Sequence, residues 1–130
     1  MVFPNNKILI LDDEKDIRDI CANVLSRHYN FEIFKVGSLS EARKVVEQEK
    51  PSYAILDLNL PDGEGLELVP SLKSSNNYAE FIVVTAHNHC SDKEKALNLG
   101  ASSFISKPFT SKDLKGAFDN MLKNTNYENK

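Results

Sequence analysis

Five times along the chain a short apolar run gives way to a stretch with apolar residues at helical spacing, and this alternation limits the fold more than any other feature. The runs are Lys7–Leu11, Phe31–Val36, Tyr53–Leu56, Phe81–Thr85 and Ser103–Ser106. The intervening segments read as amphipathic helices. The first spans about Lys15 to Arg27, with Ile17, Ile20, Cys21, Val24 and Leu25 on one face. Ser38 and Glu41 form a capping-box pattern before the second, and Ser91 with Glu94 repeats it before the fourth, which Gly100 should end. The third should start near Gly65 and be short or bent, because Pro70 falls within it. Thr110 should cap the last, which carries Leu114, Ala117, Phe118, Met121 and Leu122. Strands alternating with helices imply a parallel sheet covered on both faces. The expectation is a single doubly wound α/β domain over residues 1–123, with residues 124–130 as a polar tail.

The chain of 130 residues is long enough for one core, and its net charge of −3 gives no electrostatic case for nucleic acid. No apolar stretch approaches the roughly 20 residues of a membrane span. Two cysteines, Cys21 and Cys90, are too few for a disulfide framework and fit a reduced, cytoplasmic protein.

Ligands of a parallel sheet bind beyond the carboxyl ends of its strands. Asp12 and Asp13 follow the first strand, Asp57 the third and Lys107 the fifth, while Thr85 closes the fourth. Two carboxylates about 4 Å apart repel by about 4 kcal/mol at an effective dielectric of 20, so this cluster calls for a cation. An all-oxygen set suits Mg²⁺. An Asp beside such an ion and a Lys can attack a phosphoryl group. Each residue alone has a plainer reading: Asp12 and Asp13 as helix caps, Asp57 as the start of a turn, Thr85 as a strand residue, Lys107 as a surface charge. Their joint placement at strand ends favours chemistry.

Other motifs fail. A calcium loop counted from Asp57 has Leu68 where its bidentate acid belongs, and Leu68 also replaces the third glycine of a dinucleotide fingerprint begun by Gly63 and Gly65. His87, His89 and Cys90 form a metal half-site with no second half. His28 reads as a favourable charge at a helix C-terminus.

The segments ILILDDE, LDLNLPDGEGLEL, VVTA and GASSFISKPF resemble the receiver domain of two-component response regulators, from about Lys7 to Leu122. The resemblance implies a flavodoxin-like fold with five helices and strand order 2-1-3-4-5. It implies that Asp57 is the phosphoacceptor, that Asp12, Asp13, Asp57 and the Asn59 backbone carbonyl hold Mg²⁺, and that Thr85 and Lys107 bind phosphoryl oxygens. Thr85 and Phe104 would be the switch pair, the latter lacking a tyrosine hydroxyl. A cis Lys107–Pro108 bond would help aim the lysine. His87, two residues past Thr85, would overhang the phosphoryl group and tune its lifetime. The implied donor is a sensor histidine kinase or histidine phosphotransfer protein. The implied output is a downstream protein or a homodimer through helix 4, strand 5 and helix 5, around Lys95, Ser103 and Lys115. No direct contact with nucleic acid or membrane is expected, and a stand-alone regulator is favoured over a receiver cut from a longer protein. Two rivals remain. An Mg-dependent aspartyl-phosphate phosphohydrolase needs a second Asp where Asn59 stands. A pseudo-receiver that takes no phosphate is opposed by the complete site.

Overall fold

The computed structural model describes residues 4–86 and 90–123. Its elements in chain order are β1 (Lys7–Leu11), α1 (Lys15–His28), β2 (Glu32–Val36), α2 (Leu39–Glu49) and β3 (Tyr53–Leu56), then α3 (Val69–Ser75), β4 (Glu80–Thr85), α4 (Cys90–Asn98), β5 (Ser103–Ser106) and α5 (Ser111–Lys123). Between β3 and α3 lie a two-stranded hairpin, Asn59–Leu60 with Gly63–Glu64, and a 3-10 turn over Gly65–Leu68. The five long strands form one parallel sheet in the order β2-β1-β3-β4-β5. This is the expected doubly wound fold.

The three inner strands, β1, β3 and β4, are apolar over most of their length because both faces of the sheet are covered there. Successive side chains alternate in direction, so Leu9 and Leu11 join one core layer with Leu39, Ala42, Val46, Leu72 and Ala96 of α2, α3 and α4. Ile8 and Ile10 join the other with Cys21, Leu25, Leu114 and Phe118 of α1 and α5. Cys21 is fully buried, and burial pushes its thiol up to about 12, so it serves as a small core residue. Ile20 departs from expectation. It is 45% exposed rather than part of the α1 core face.

Helix ends follow the sequence signals with two corrections. The Thr110 hydroxyl accepts the Asp113 N–H at 3.0 Å, and the Asp113 carboxylate accepts the Thr110 N–H at 3.0 Å. Ser38 accepts the Glu41 N–H at 3.3 Å, but the Glu41 carboxylate takes the Gly37 N–H. α4 begins at Cys90, which puts Ser91 inside the first turn rather than at the cap. It closes as expected at Gly100 (φ 104°), where the Ala101 N–H reaches back to Ala96 O at 3.0 Å. α3 is indeed short. A 3-10 turn occupies the stretch from Gly65, and Pro70 sits in the first turn of the α-helix, where its missing N–H costs no internal bond.

Candidate functional site

The sheet register builds the site. Leu11 pairs with both Val36 and Leu56, so the residues that follow, Asp12 and Asp57, leave neighbouring strands side by side. Backbone bonds hold both: Asp12 N–H to Val36 O at 3.2 Å, and Asp57 N–H to Leu11 O at 2.9 Å. The Arg18 guanidinium donates to the Asp12 carbonyl at 2.7 Å. The Asp12 side chain accepts the Glu14 N–H at 2.9 Å, which aims the turn into α1. Gly65 is required under the site, since a Cβ there would lie 1.8 Å from the Asp57 carbonyl oxygen. The hairpin is pinned from the far side. The Asp62 carboxylate accepts the Leu39 and Ser40 N–H groups at 2.9 and 3.1 Å, capping α2 across the chain.

Carboxylate oxygens of Asp12, Asp13 and Asp57 come within 4.8 Å of one another. Asp12 and Asp57 are buried and Asp13 is exposed. Lys107 answers their charge from the end of β5. Its Nζ lies 2.8 Å from Asp12 Oδ2, 3.2 Å from Asp57 Oδ2 and 2.9 Å from Glu14 Oε1, with the side chain only 11% exposed. Burial pushes the Asp12 carboxyl up, outweighing the Lys107 bond that pulls it down. Burial works against the Lys107 ammonium too, but its bonds to Asp12 and Glu14 and the field of Asp57 prevail, and it is held above its ordinary range.

A cleft of about 270 Å³ opens over this cluster, lined by Asp13, Glu14, Asp57, Asn59, Ala86 and Lys107. Thr85 is fully buried beside it, and the Lys107 N–H donates to the Thr85 carbonyl at 2.9 Å, tying the ends of β4 and β5. Asn59 is exposed at the start of the hairpin. The Lys107–Pro108 peptide is cis. Phe104 stands further down β5, half-buried against the α2–α3–α4 core layer. His87 lies outside the described residues. Sequence reasoning missed Glu14, which meets Lys107 from 93 positions away. Its only local signal is its place directly after the acidic pair. All-oxygen donors with a formal charge of −3, two of them buried and with one ammonium to answer them among the described residues, suit a hard divalent cation.

The family model for the response regulator receiver domain matches residues 8–119. Among curated relatives, the transcriptional regulatory protein GltR of Pseudomonas aeruginosa is 31% identical over 122 residues, covering 92% of this chain and 50% of that protein. Sporulation initiation phosphotransferase F of Bacillus subtilis is 27% identical over 118 residues, covering 91% of this chain and 94% of that protein. The chain thus spans about half the length of relatives such as GltR and nearly all of the latter. A CheY-like receiver domain protein from Methanospirillum hungatei superposes with a TM-score of 0.82 at 29% identity, over 91% of this chain and 94% of that one. The family-model match runs over most of the chain, so this chain belongs to the response regulator receiver domains.

Proposed function

We infer that the chain is a phosphorylatable signalling switch that accepts a phosphoryl group on Asp57 from a phosphohistidine of a sensor histidine kinase or histidine phosphotransfer protein. One observation carries this reading: the buried Asp57 carboxylate opens onto a cleft shared with Asp13 and Lys107, and Asp12 completes the carboxylate cluster beside it. In the step, an Asp57 carboxylate oxygen bonds to phosphorus while the P–N bond breaks. The imidazole leaves with the electron pair. Lys107 compensates phosphoryl charge, and the Thr85 hydroxyl donates to a phosphoryl oxygen as it comes within reach. Asp12, Asp13, Asp57 and the Asn59 carbonyl would hold Mg²⁺. The ion, when bound, supplies positive charge to the phosphoryl oxygens. Return to the resting state is hydrolysis by the chain itself: water attacks phosphorus and the Asp57 carboxylate departs. The domain is therefore a self-modifying switch rather than a turnover enzyme.

The receiver unit is assigned to residues 1–123 and a tail to 124–130, which lie outside the described residues, in a reducing cytoplasmic setting that the two unpaired thiols support. His87 is assigned the tuning of phosphoryl lifetime. The output face is assigned to α4, β5 and α5, which carries a signal to a protein partner or a second copy. Two residues expected around it take part in ion pairs. Lys95 pairs with Glu64 of the hairpin at 3.7 Å, and Lys115 pairs with Asp119 of the same helix, which bonds Tyr29 just beyond α1. Intact-mass measurement after mixing with acetyl phosphate and Mg²⁺ tests the reading. One phosphoryl adduct in the wild type and none in Asp57→Asn is expected. No adduct in the wild type would sink it.

A further inference from the structure

Glu14 has no role in the chemistry above, yet it holds the lysine of the site. Its side chain is 61% exposed, and an ion pair so exposed contributes little to the fold. Its position matters more than its pairing. It lines the cleft with Asp13, Asp57 and Lys107, and its carboxylate lies 2.9 Å from the Lys107 ammonium. A phosphodonor entering this cleft needs Lys107 to compensate its charge. It must displace the Glu14 carboxylate from Lys107 and then sit beside the displaced charge.

We propose that Glu14 is a specificity-determining residue, a charge filter that keeps free dianionic phosphodonors from loading Asp57. The proposal rests on Asp57 being the acceptor. The penalty scales with donor charge, so a dianion is excluded more strongly than a monoanion of similar size. Acetyl phosphate and phosphoramidate provide that contrast near neutral pH, the first a dianion and the second carrying one net negative charge. With either donor the new bond is Asp57 oxygen to phosphorus. Acetate leaves with the electrons of the broken P–O bond, and ammonia leaves with those of the broken P–N bond.

The test compares adduct formation by intact mass in wild type, Glu14→Gln and Glu14→Asp, at saturating Mg²⁺ and low ionic strength. Glu14→Gln should load from acetyl phosphate roughly fivefold faster than wild type and from phosphoramidate about twofold faster, as expected for removing one charge a few ångströms from the entering donor. The gain should appear in the dependence on donor concentration rather than in the limiting rate. It should shrink in about 0.5 M salt, where screening lengths fall to a few ångströms. Glu14→Asp, which keeps the charge at the mouth, should return to near wild-type rates. Equal gains for the two donors, gains that survive high salt, or a Glu14→Asp as fast as Glu14→Gln would each overturn the filter while leaving phosphorylation of Asp57 standing. No adduct in the wild-type chain would overturn both.

Discussion

At the scale of single residues, the site is a charge balance. Asp12 and Asp57 are buried next to each other, and Lys107 is the cation that both of them touch. Removing either kind of charge should act with opposite sign. With divalent ions chelated, Asp57→Asn relieves the repulsion felt by Asp12 and should raise the melting temperature by roughly 3–5 °C, equivalent to about 1 kcal/mol. Lys107→Met leaves two buried carboxylates uncompensated and should cost roughly 3 kcal/mol. Thermal unfolding in EDTA checks both. A loss of stability in Asp57→Asn would mean that its bond to Lys107 outweighs the crowding. The same asymmetry explains what could be read in advance. Asp12, Asp13, Asp57 and Lys107 were legible because each stands within two residues of the end of a strand run, and a parallel sheet delivers such positions to one edge. Glu14 was not, because its meeting with Lys107 depends on the turn between β1 and α1 rather than on any strand end.

At the scale of elements, the five long strands announced themselves through apolar runs, and the predicted starts and ends lie within a residue of those observed. The hairpin after β3 did not, since strands of two residues carry no usable alternation. Its anchor was equally hidden: Asp62 caps α2 from 23 positions away, while local pattern pointed only to Ser38. Those backbone N–H groups of Leu39 and Ser40 hold the Asp62 carboxyl below its ordinary value of 3.8. The unfolded chain therefore binds the proton more readily than the folded one. The stabilisation is complete above the ordinary value and is lost as pH falls through the depressed one. Asp62→Ala should lower the melting temperature at pH 7, and the gap to wild type should narrow toward pH 2. Thermal melts across that range check it, and a constant gap would show that the carboxylate charge is not what holds α2 to the hairpin.

At the scale of the whole molecule, the question is how an event at Asp57 reaches a distant face. β4 and β5 are in register with Val83 beside Phe104 and Thr85 beside Ser106, so movement at the end of β4 is felt along β5. α4 is the helix best able to respond. Among its described residues it buries only Ala96, and its Lys95 reaches back to Glu64 on the hairpin that follows Asp57. A phosphoryl group bonded by the Thr85 hydroxyl would draw this strand end toward Asp57 and open room beneath β5. Phe104, now half-buried, can turn into that room. Full burial of a Phe is worth about 1.5–3 kcal/mol, so completing a half-made burial supplies about 1 kcal/mol. That shifts a two-state surface roughly fivefold without locking it. Thr85→Ala should therefore still take phosphate on Asp57 while leaving Phe104 in its resting position. Ring resonances of selectively labelled Phe104, followed by NMR before and after phosphorylation, distinguish the outcomes. Displacement of the ring in wild type and none in Thr85→Ala is expected, whereas equal displacement in both would break the link between the hydroxyl and the ring and leave the phosphorylation chemistry untouched.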